Sequence, residues 1–575
     1  MQYFAIPIIV GVITALVTGR HIIAAISTIA AIMFAYIEMP VYDVFHFGGI
    51  YAVIAVQVAA FAVTAFIVYF ICNANLESEE EDKFYKYGIG VVIFFALIGV
   101  IGGISTMAMF NSYKYQQVFG KVNHEAEFTE ETAPLDLTQM RDVNQGLATR
   151  LGKKRLGEIP GLGSEMELEE MSLQLVNGKL YWVGLLDYNG FFRWFGNEGG
   201  TQGYIKVSAT NDQDVELVTQ IDGKDMRIKY NKGAYFGEYP QRYLYEHGYS
   251  TTGITDFSTE IDDSGRPFYV VTKYEKRVGF SGSNATGVIT LDVQTGEIKE
   301  YSIDDAPLWI DRIQPEQFIV DQITWWGKYV HGFWNLRGKD KLMPTNGTSL
   351  VYGGDGHSYW YTGITSIGKD DATVGFMLVN TRTKDVHFFK QPGGTEESAM
   401  GSAQGEIQEK GYDATFPVLY NVNGVPTYYM TLKDQAGLVK MRAFVSVENI
   451  QNVGVAPDRR EALRKYMTKL SSNGNRIAPE SLVTAKTSSG KVLRFQPDVQ
   501  NGNTFYYIIL EGQSKFVFVG SSSVSQEIPL TNIGDTVTIG YDEGHSGVID
   551  IRTYDNKMFE IRTNTEHVPV AESQQ

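Results

Sequence analysis

The residue types that carry chemistry are few in this chain, and their spacing suits it poorly. Asp355-Gly356-His357 sets a carboxylate and an imidazole two positions apart, the spacing of a metal-ligating pair. An Asp-Gly step is also what a tight hairpin turn wants for backbone reasons, and the turn is the better reading. Asp304 and Asp305, followed by Asp311 and Arg312, have the composition of an acid/base cluster, but an exposed connector with one ion pair accounts for them more simply. Gly279-Phe280-Ser281-Gly282-Ser283 misses the Gly-x-Ser-x-Gly elbow by register, and no HExxH helix, P-loop or Rossmann glycine fingerprint occurs. Cys72 is the only cysteine, so neither a disulfide nor a thiolate metal cluster can form within one chain. No catalytic residue, cofactor or metal ligand is assigned on this basis, and the balance favours a protein that binds over one that catalyses.

Aromatic side chains are a different matter. Trp325, Trp326, Tyr329, Phe333 and Trp334 crowd into ten residues with Gly327, His331 and Gly332. Aromatics at that density are the usual anchors of protein interfaces. They are also what fastens a helix between two sheets, and an inter-module core is the preferred of these two readings. A second group, Tyr188, Phe191, Phe192, Trp194 and Phe195, is flanked by glycines, as in an exposed loop that reaches a partner or a membrane surface. Phe191, Phe192 and Trp194 join the first group as candidate partner-binding residues.

The elements that would hold these side chains divide the chain sharply. Four apolar stretches, Tyr3–Thr18, Ile22–Tyr36, Gly48–Cys72 and Tyr87–Met109, follow one another in the first 110 residues and read as four membrane spans. No ionisable residue falls in mid-span, as a transporter would need. Small residues recur at helical spacing (Ala24, Ala31 and Ala35; Ala55, Ala59 and Ala62; Gly99 and Gly103), which suits close helix contact and a homo-oligomer. The bundle therefore reads as an anchor in contact with lipid. Arg20, Lys83 and Lys86 on one side favour a cytoplasmic location for those loops and an extracytoplasmic location for the rest. The net charge of −17 and pI near 5.1 argue against a nucleic-acid partner.

Beyond residue 110 the chain reads as a polar, partly helical stalk (111–164), two pairs of small modules (165–310 and 311–456), a basic helix and linker (457–481), a small β-barrel (482–568) and a tail (569–575). The modules rest on a recurring hairpin signal, a turn ending in glycine followed by an aromatic strand. The turn glycines are Gly178, Gly265, Gly356 and Gly424, spaced 87, 91 and 68 residues apart. Helical patterns over 315–326 and 398–411 precede two of these hairpins, which makes an α+β unit with a helix laid on an antiparallel sheet. Short alternating strands from Lys491 to Tyr554 suggest an OB-like or SH3-like barrel.

The order helix, "GYDATFPVLYNVNGVPTYYMTL", "GLVKMRAFVSVENIQNVGV", and the pair "SGRPFYVVTKY" and "GVITLDVQTGEIKEY", resemble the PepSY module of bacterial envelope proteins, over roughly residues 165–455. The whole chain also resembles a group of uncharacterised multi-pass proteins of bacteria and phages. The resemblance implies a non-catalytic binding or scaffolding role toward envelope proteins or peptides and carries no catalytic residues over. Alternatives in the same frame are a phage-encoded envelope or virion-associated assembly protein, and a regulator or inhibitor of an envelope peptidase. The expected fold is thus a four-span membrane helical bundle, α+β PepSY-like repeats and a small C-terminal barrel.

Overall fold

The computed structural model describes residues 8, 11–12, 15 and 21–38, and then 101–559 except for 126–127, 129–138, 198, 354–355, 369–371, 423, 473–485, 501–502, 514–515, 523 and 542–547. Two compact units divide at Arg476 and Ile477.

The four-span expectation is overturned. No helix among the described residues is long and apolar enough to cross a membrane, and strands rather than helices dominate the chain. The reason can be read in the second apolar stretch. It forms the 18-residue helix His21–Glu38, bounded by an imidazole and a carboxylate. The 16 residues between those ends would rise only about 24 Å at 1.5 Å each, short of the roughly 30 Å of hydrocarbon. The fourth stretch breaks at Met107 (φ −60°, ψ 125°), and the helix that follows, Ala108–Val118, kinks at Asn111. Tyr3–Thr18, apart from four positions, Gly48–Cys72 and most of Tyr87–Met109 lie outside the described residues, as do Ala55, Ala59, Ala62 and Gly99. The membrane, multi-pass and extracytoplasmic expectations fall with the spans.

Four larger sheets, antiparallel except for one short added strand, make up most of the first unit, with two two-stranded pairs beside them. The first centres on the strand Lys179–Tyr188, which pairs with Met166–Leu168 and Ser172–Val176 along one edge and Tyr204–Ser208 along the other, with Val215–Val218 beyond. The second is a meander of Gly253–Ile261, Pro267–Val278, Ser281–Asp292 and Ile298–Ser302. The third sets Leu342–Pro344 and Ser349–Tyr352 against Ser358–Ser366, followed by Gly375–Asn380 and Val386–Phe389. The fourth sets Asp413–Ala414 and Val418–Val422 against Val425–Lys433, then Val439–Ser446 and Val453–Ala456. Sheets one, three and four share a pattern: two short strands pair with one long strand, and two more strands follow.

Alternation along the central strands shows how the sheets stack. In Lys179–Tyr188, Leu180, Trp182 and Leu186 enter one core, while Val183 and Leu185 enter another shared with Tyr269, Val271, Ile289 and Leu291 of the second sheet. In the third sheet Trp360, Ile364, Met377 and Val379 join the first of those cores, and Tyr361, Phe376 and Leu378 face Tyr428, Met430 and Ala443 of the fourth. A strand buried on both faces shows no polar face, so its sequence reads as a continuous apolar run. Helices fill the gaps. Gln145–Gly157 brings Leu147 and Ala148, and Glu316–Lys328 brings Ile319 and Ile323, to the core between sheets one and three. Glu396–Gly405 brings Ala399 and Ala403 to the core between three and four. Asn144 caps the first of these by accepting the Leu147 N–H at 3.0 Å, and Thr395 caps the last by accepting that of Ser398 at 3.1 Å.

The segment before residue 150 ties the layers together. Val122–Asn123 adds in parallel to Val386–Phe389 of the third sheet. Asp142 accepts from Arg459 at 2.6 Å and from Arg442 at 3.2 Å. The helix Arg459–Ser472 closes the fourth sheet by lying directly on Gly454. A Cβ there would come within 2.3 Å of the Ala462 carbonyl and of the Tyr466 nitrogen, both main-chain atoms that cannot swing away. Gly454→Ala is therefore expected to cost about 2–3 kcal/mol, by the overpacking rule, and a urea midpoint within error of the parent would refute this.

The second unit contains a closed barrel of five strands, Lys486–Gln500, Asn503–Leu510, Val517–Ser521, Thr536–Tyr541 and Val548–Asn556. Its fifth strand inserts between the third and fourth and pairs in parallel with the third, a Greek-key connection. Ile508, Leu510, Phe518, Val537 and Ile539 fill it.

Candidate functional site

The clearest surface feature lies at the end of the first sheet. Gly190 takes φ 90°, a left-handed value that frees the chain to turn out of Lys179–Tyr188 into the one-turn helix Phe191–Phe195. The segment Tyr235–Phe236, bracketed by Gly233 and Gly237, comes alongside. Phe191 sits at the centre, with ring centroids 5.6 Å from Phe192, 5.7 Å from Trp194, 6.0 Å from Phe195 and 5.2 Å from Tyr235. Phe192, Phe195 and Phe236 are 85, 70 and 51 % exposed, so the cluster presents a contiguous aromatic face to its surroundings. Trp194 is held from beneath, its indole N–H donating to Glu238 at 2.6 Å.

Beside this face is a cavity of about 590 Å³ lined by Tyr188, Asn189, Lys232, Tyr235, Phe236 and Tyr239, among others. Its Lys232 belongs to a buried ionic network. The ammonium lies 2.5 Å from Glu169 and donates to the Phe257 carbonyl at 2.9 Å. Glu169 also accepts from Thr259 at 2.9 Å and Tyr269 at 3.3 Å. Burial pulls the Lys232 pKa down, but the charge and hydrogen bond of Glu169 outweigh it and leave the ammonium above its usual value. Asp187 goes the other way. Burial first, then the charge of Glu169, push its carboxyl well above the ordinary range, and its Oδ1 has no hydrogen-bond partner among the described residues.

The other aromatic run divides in two. Trp325 packs on Tyr115 (centroids 5.0 Å apart), Trp326 on Phe119 and Phe388 (6.3 and 6.2 Å), and Tyr329 is 8 % exposed beside Tyr115. These three fasten the helix Glu316–Lys328 against Ala108–Val118 and the third sheet. Phe333 and Trp334 continue onto the surface, 37 and 65 % exposed, with rings 5.3 Å apart. Among the described residues their rings pack on each other and on none of the Phe191 cluster.

Sequence reasoning missed Tyr235, Phe236 and Lys232, although glycines bracket Tyr235-Phe236 just as they do Phe191–Phe195. It also misplaced Asp311. Rather than sitting on an exposed connector, Asp311 is 8 % exposed and its carboxylate accepts from the Leu175 N–H at 2.7 Å and the Tyr352 hydroxyl at 2.9 Å. Its own N–H donates to Glu260 at 2.9 Å. Burial, reinforced by the Asp311 charge, pushes the Glu260 carboxyl up to about 8, and burial pushes that of Asp311 to about 6. Asp305 is exposed and accepts from Ser302 at 2.7 Å. Asp355 lies outside the described residues; Gly356 takes φ 78° at a turn. Among the described residues no group of three His, Cys, Asp or Glu side chains could hold a metal ion.

Neither a family model nor a curated protein matches the chain. Among solved structures it is similar to a mutant of Trypanosoma rangeli sialidase displaying trans-sialidase activity, at 7 % identity and a TM-score of 0.15. The match covers 68 % of this chain and about half, 53 %, of the sialidase, and a likeness that faint carries no argument about fold or activity.

Proposed function

We propose that this protein is a non-catalytic binding or scaffolding protein, in which PepSY-like modules present an aromatic face to a protein or peptide partner. The observation that carries this reading is the exposed cluster of Phe191, Phe192, Phe195, Tyr235 and Phe236 on a rigid sheet end. Large aromatics left in water at the rim of a cavity are what partner-binding hot spots are made of. The module reading is supported by the helix and paired short strands that recur around sheets one, three and four.

The test places a photo-crosslinking phenylalanine analogue at position 192 of the full chain, with position 224, exposed on the same module, as control. Irradiated producing cells are expected to give one discrete adduct from position 192 and none from 224. Adducts that are identical at both positions, or absent from both, would refute the proposal. Phe192→Ser combined with Phe195→Ser should leave the fold intact, since both side chains are exposed, and remove the interaction identified by the adduct.

A further inference from the structure

A second concavity, of about 480 Å³, opens where the loop before the helix Gln145–Gly157 meets sheets one, two and three. That volume is within the range of small-molecule sites. Its walls are rigid. The Trp182 indole N–H donates to the Val143 carbonyl at 2.8 Å, and the Trp360 indole N–H to the Gln314 carbonyl at 2.8 Å, so both ring systems are locked in place. Arg141 and Arg312 both line this space. Arg141 is held at its base by its own N–H, which donates to the Tyr420 hydroxyl at 3.0 Å, and spends Nη1 on the Leu350 carbonyl at 3.2 Å. The Arg312 Nε is sealed from the cavity; burial pulls the guanidinium's pKa down, but the charges of Asp256, Glu260 and Asp311 around it outweigh that pull and raise it. Arg141 has no carboxylate among the charges acting on it, so a guanidinium bordering a walled cavity would gain from an anionic acceptor placed there.

A third observation concerns the acidic wall. The strand Gly253–Ile261 slips register against Pro267–Val278 between Val270 and Thr272. Opposite that bulge Asp256 adopts φ 52°, a left-handed conformation that an L-residue enters at a cost. Asp256 lines the cavity, with Glu170 and Glu316. Lys232 is already held by Glu169, so two guanidinium groups (Arg141, Arg312) and three carboxylates remain to face one another across the lining. A polyanion such as a phosphate ester would be repelled by the acidic wall, whereas a molecule with one carboxylate and one ammonium matches both sets of groups.

We propose that this cleft is a binding site for zwitterions of amino-acid to tripeptide size, with the α-carboxylate received by Arg312 and Arg141 and the ammonium by Asp256 and Glu170. Burial depresses the Arg141 pKa, a penalty that a bound carboxylate offsets. The planar forks suit bidentate capture of a carboxylate, and the two fixed indoles supply apolar walls for a side chain. The site uses none of the exposed Phe191 cluster, so the two readings can fail separately.

The experiment titrates the full chain with tyrosine, Ala-Tyr-Ala and the C-terminal amide of Ala-Tyr-Ala, by calorimetry or ligand-observed NMR. Ala-Tyr-Ala is expected to bind with a micromolar to millimolar Kd and its amide about tenfold more weakly or worse. Tyrosine binding as well as the tripeptide would assign the site to free amino acids; much weaker binding would assign it to peptide ends. Inorganic phosphate should not compete. Arg312→Gln should weaken the tripeptide about tenfold, and Asp256→Asn, at an exposed residue, should weaken it while sparing the N-acetylated tripeptide. If Arg312→Gln fails to fold, the acid-versus-amide contrast on the unmodified protein decides. Equal binding of acid and amide, or no binding of either tyrosine or Ala-Tyr-Ala at about 10 mM, would overturn the proposal.

Discussion

Glu260→Gln is expected to stabilise the first unit at alkaline pH and to leave it nearly unchanged in acid. The buried carboxyl of Glu260 is raised from an ordinary 4.5 to about 8, so the folded chain holds a proton that the unfolded chain has released. Where the native state binds more protons, unfolding free energy falls as pH rises. The loss starts near the unfolded value of 4.5, runs at up to about 1.4 kcal/mol per pH unit, and ends near 8. Glutamine keeps the acceptor for the Asp311 N–H and never ionises. The variant should gain about 4 kcal/mol over the parent at pH 8 and under about 1 kcal/mol at pH 5. Asp311 and Asp187, raised in the same direction, leave a residual slope in both proteins. All seven tryptophans lie before residue 477, so their fluorescence in urea reports on this unit alone. Parallel pH profiles for parent and variant would contradict the account.

Arg382→Met is expected to be the most damaging single change outside the apolar core. The guanidinium is 8 % exposed and donates to the carbonyls of Pro307 (2.7 Å), Ala306 (2.6 Å) and Ile310. It thereby fixes the segment that carries Asp311 and Arg312, and its charge helps hold Asp311 below the value burial alone would set. Methionine fills similar volume but orphans the Ala306 and Ile310 carbonyls, Pro307 keeping the Ile310 N–H at 3.1 Å, at about 1–3 kcal/mol for each that water cannot reach. A loss of about 4 kcal/mol follows, and Arg382→Lys should recover little of it, since one ammonium cannot replace a fork that spans three acceptors. A loss below about 1 kcal/mol would mean that solvent satisfies those carbonyls.

Some of this architecture was legible in the residues and some was not, for separable reasons. Asn177-Gly178 joins strands that pair Val176 with Lys179, and both residues take positive φ, 49° and 75°. That is the two-residue turn an Asn-Gly step encodes by itself, so local chemistry was enough. The density of Trp325, Trp326 and Tyr329 marked them as packing residues, but their partners Tyr115, Phe119 and Phe388 lie far away in sequence. Glu260 and Asp311 were illegible because each sits among polar neighbours that read as surface; only the meeting of three sheets buries them. The apolar richness of the first 110 residues was read as lipid exposure on composition and length. The one helix described at full length there has ionisable ends too close together for that.

The short parallel pairing of Val122 with Val386 has a consequence for the birth of the molecule. The ribosome releases Val122 some 264 residues before its neighbour exists, a wait of roughly 13–50 s at ordinary elongation rates. For most of that interval Tyr115 and Val118 lack Tyr329 and Trp325, and Phe119 lacks Trp326, because those residues are also still unmade. Nascent chains stalled before residue 386 should therefore recruit chaperones through this leading stretch, and the third layer should lock only after the fourth begins to emerge.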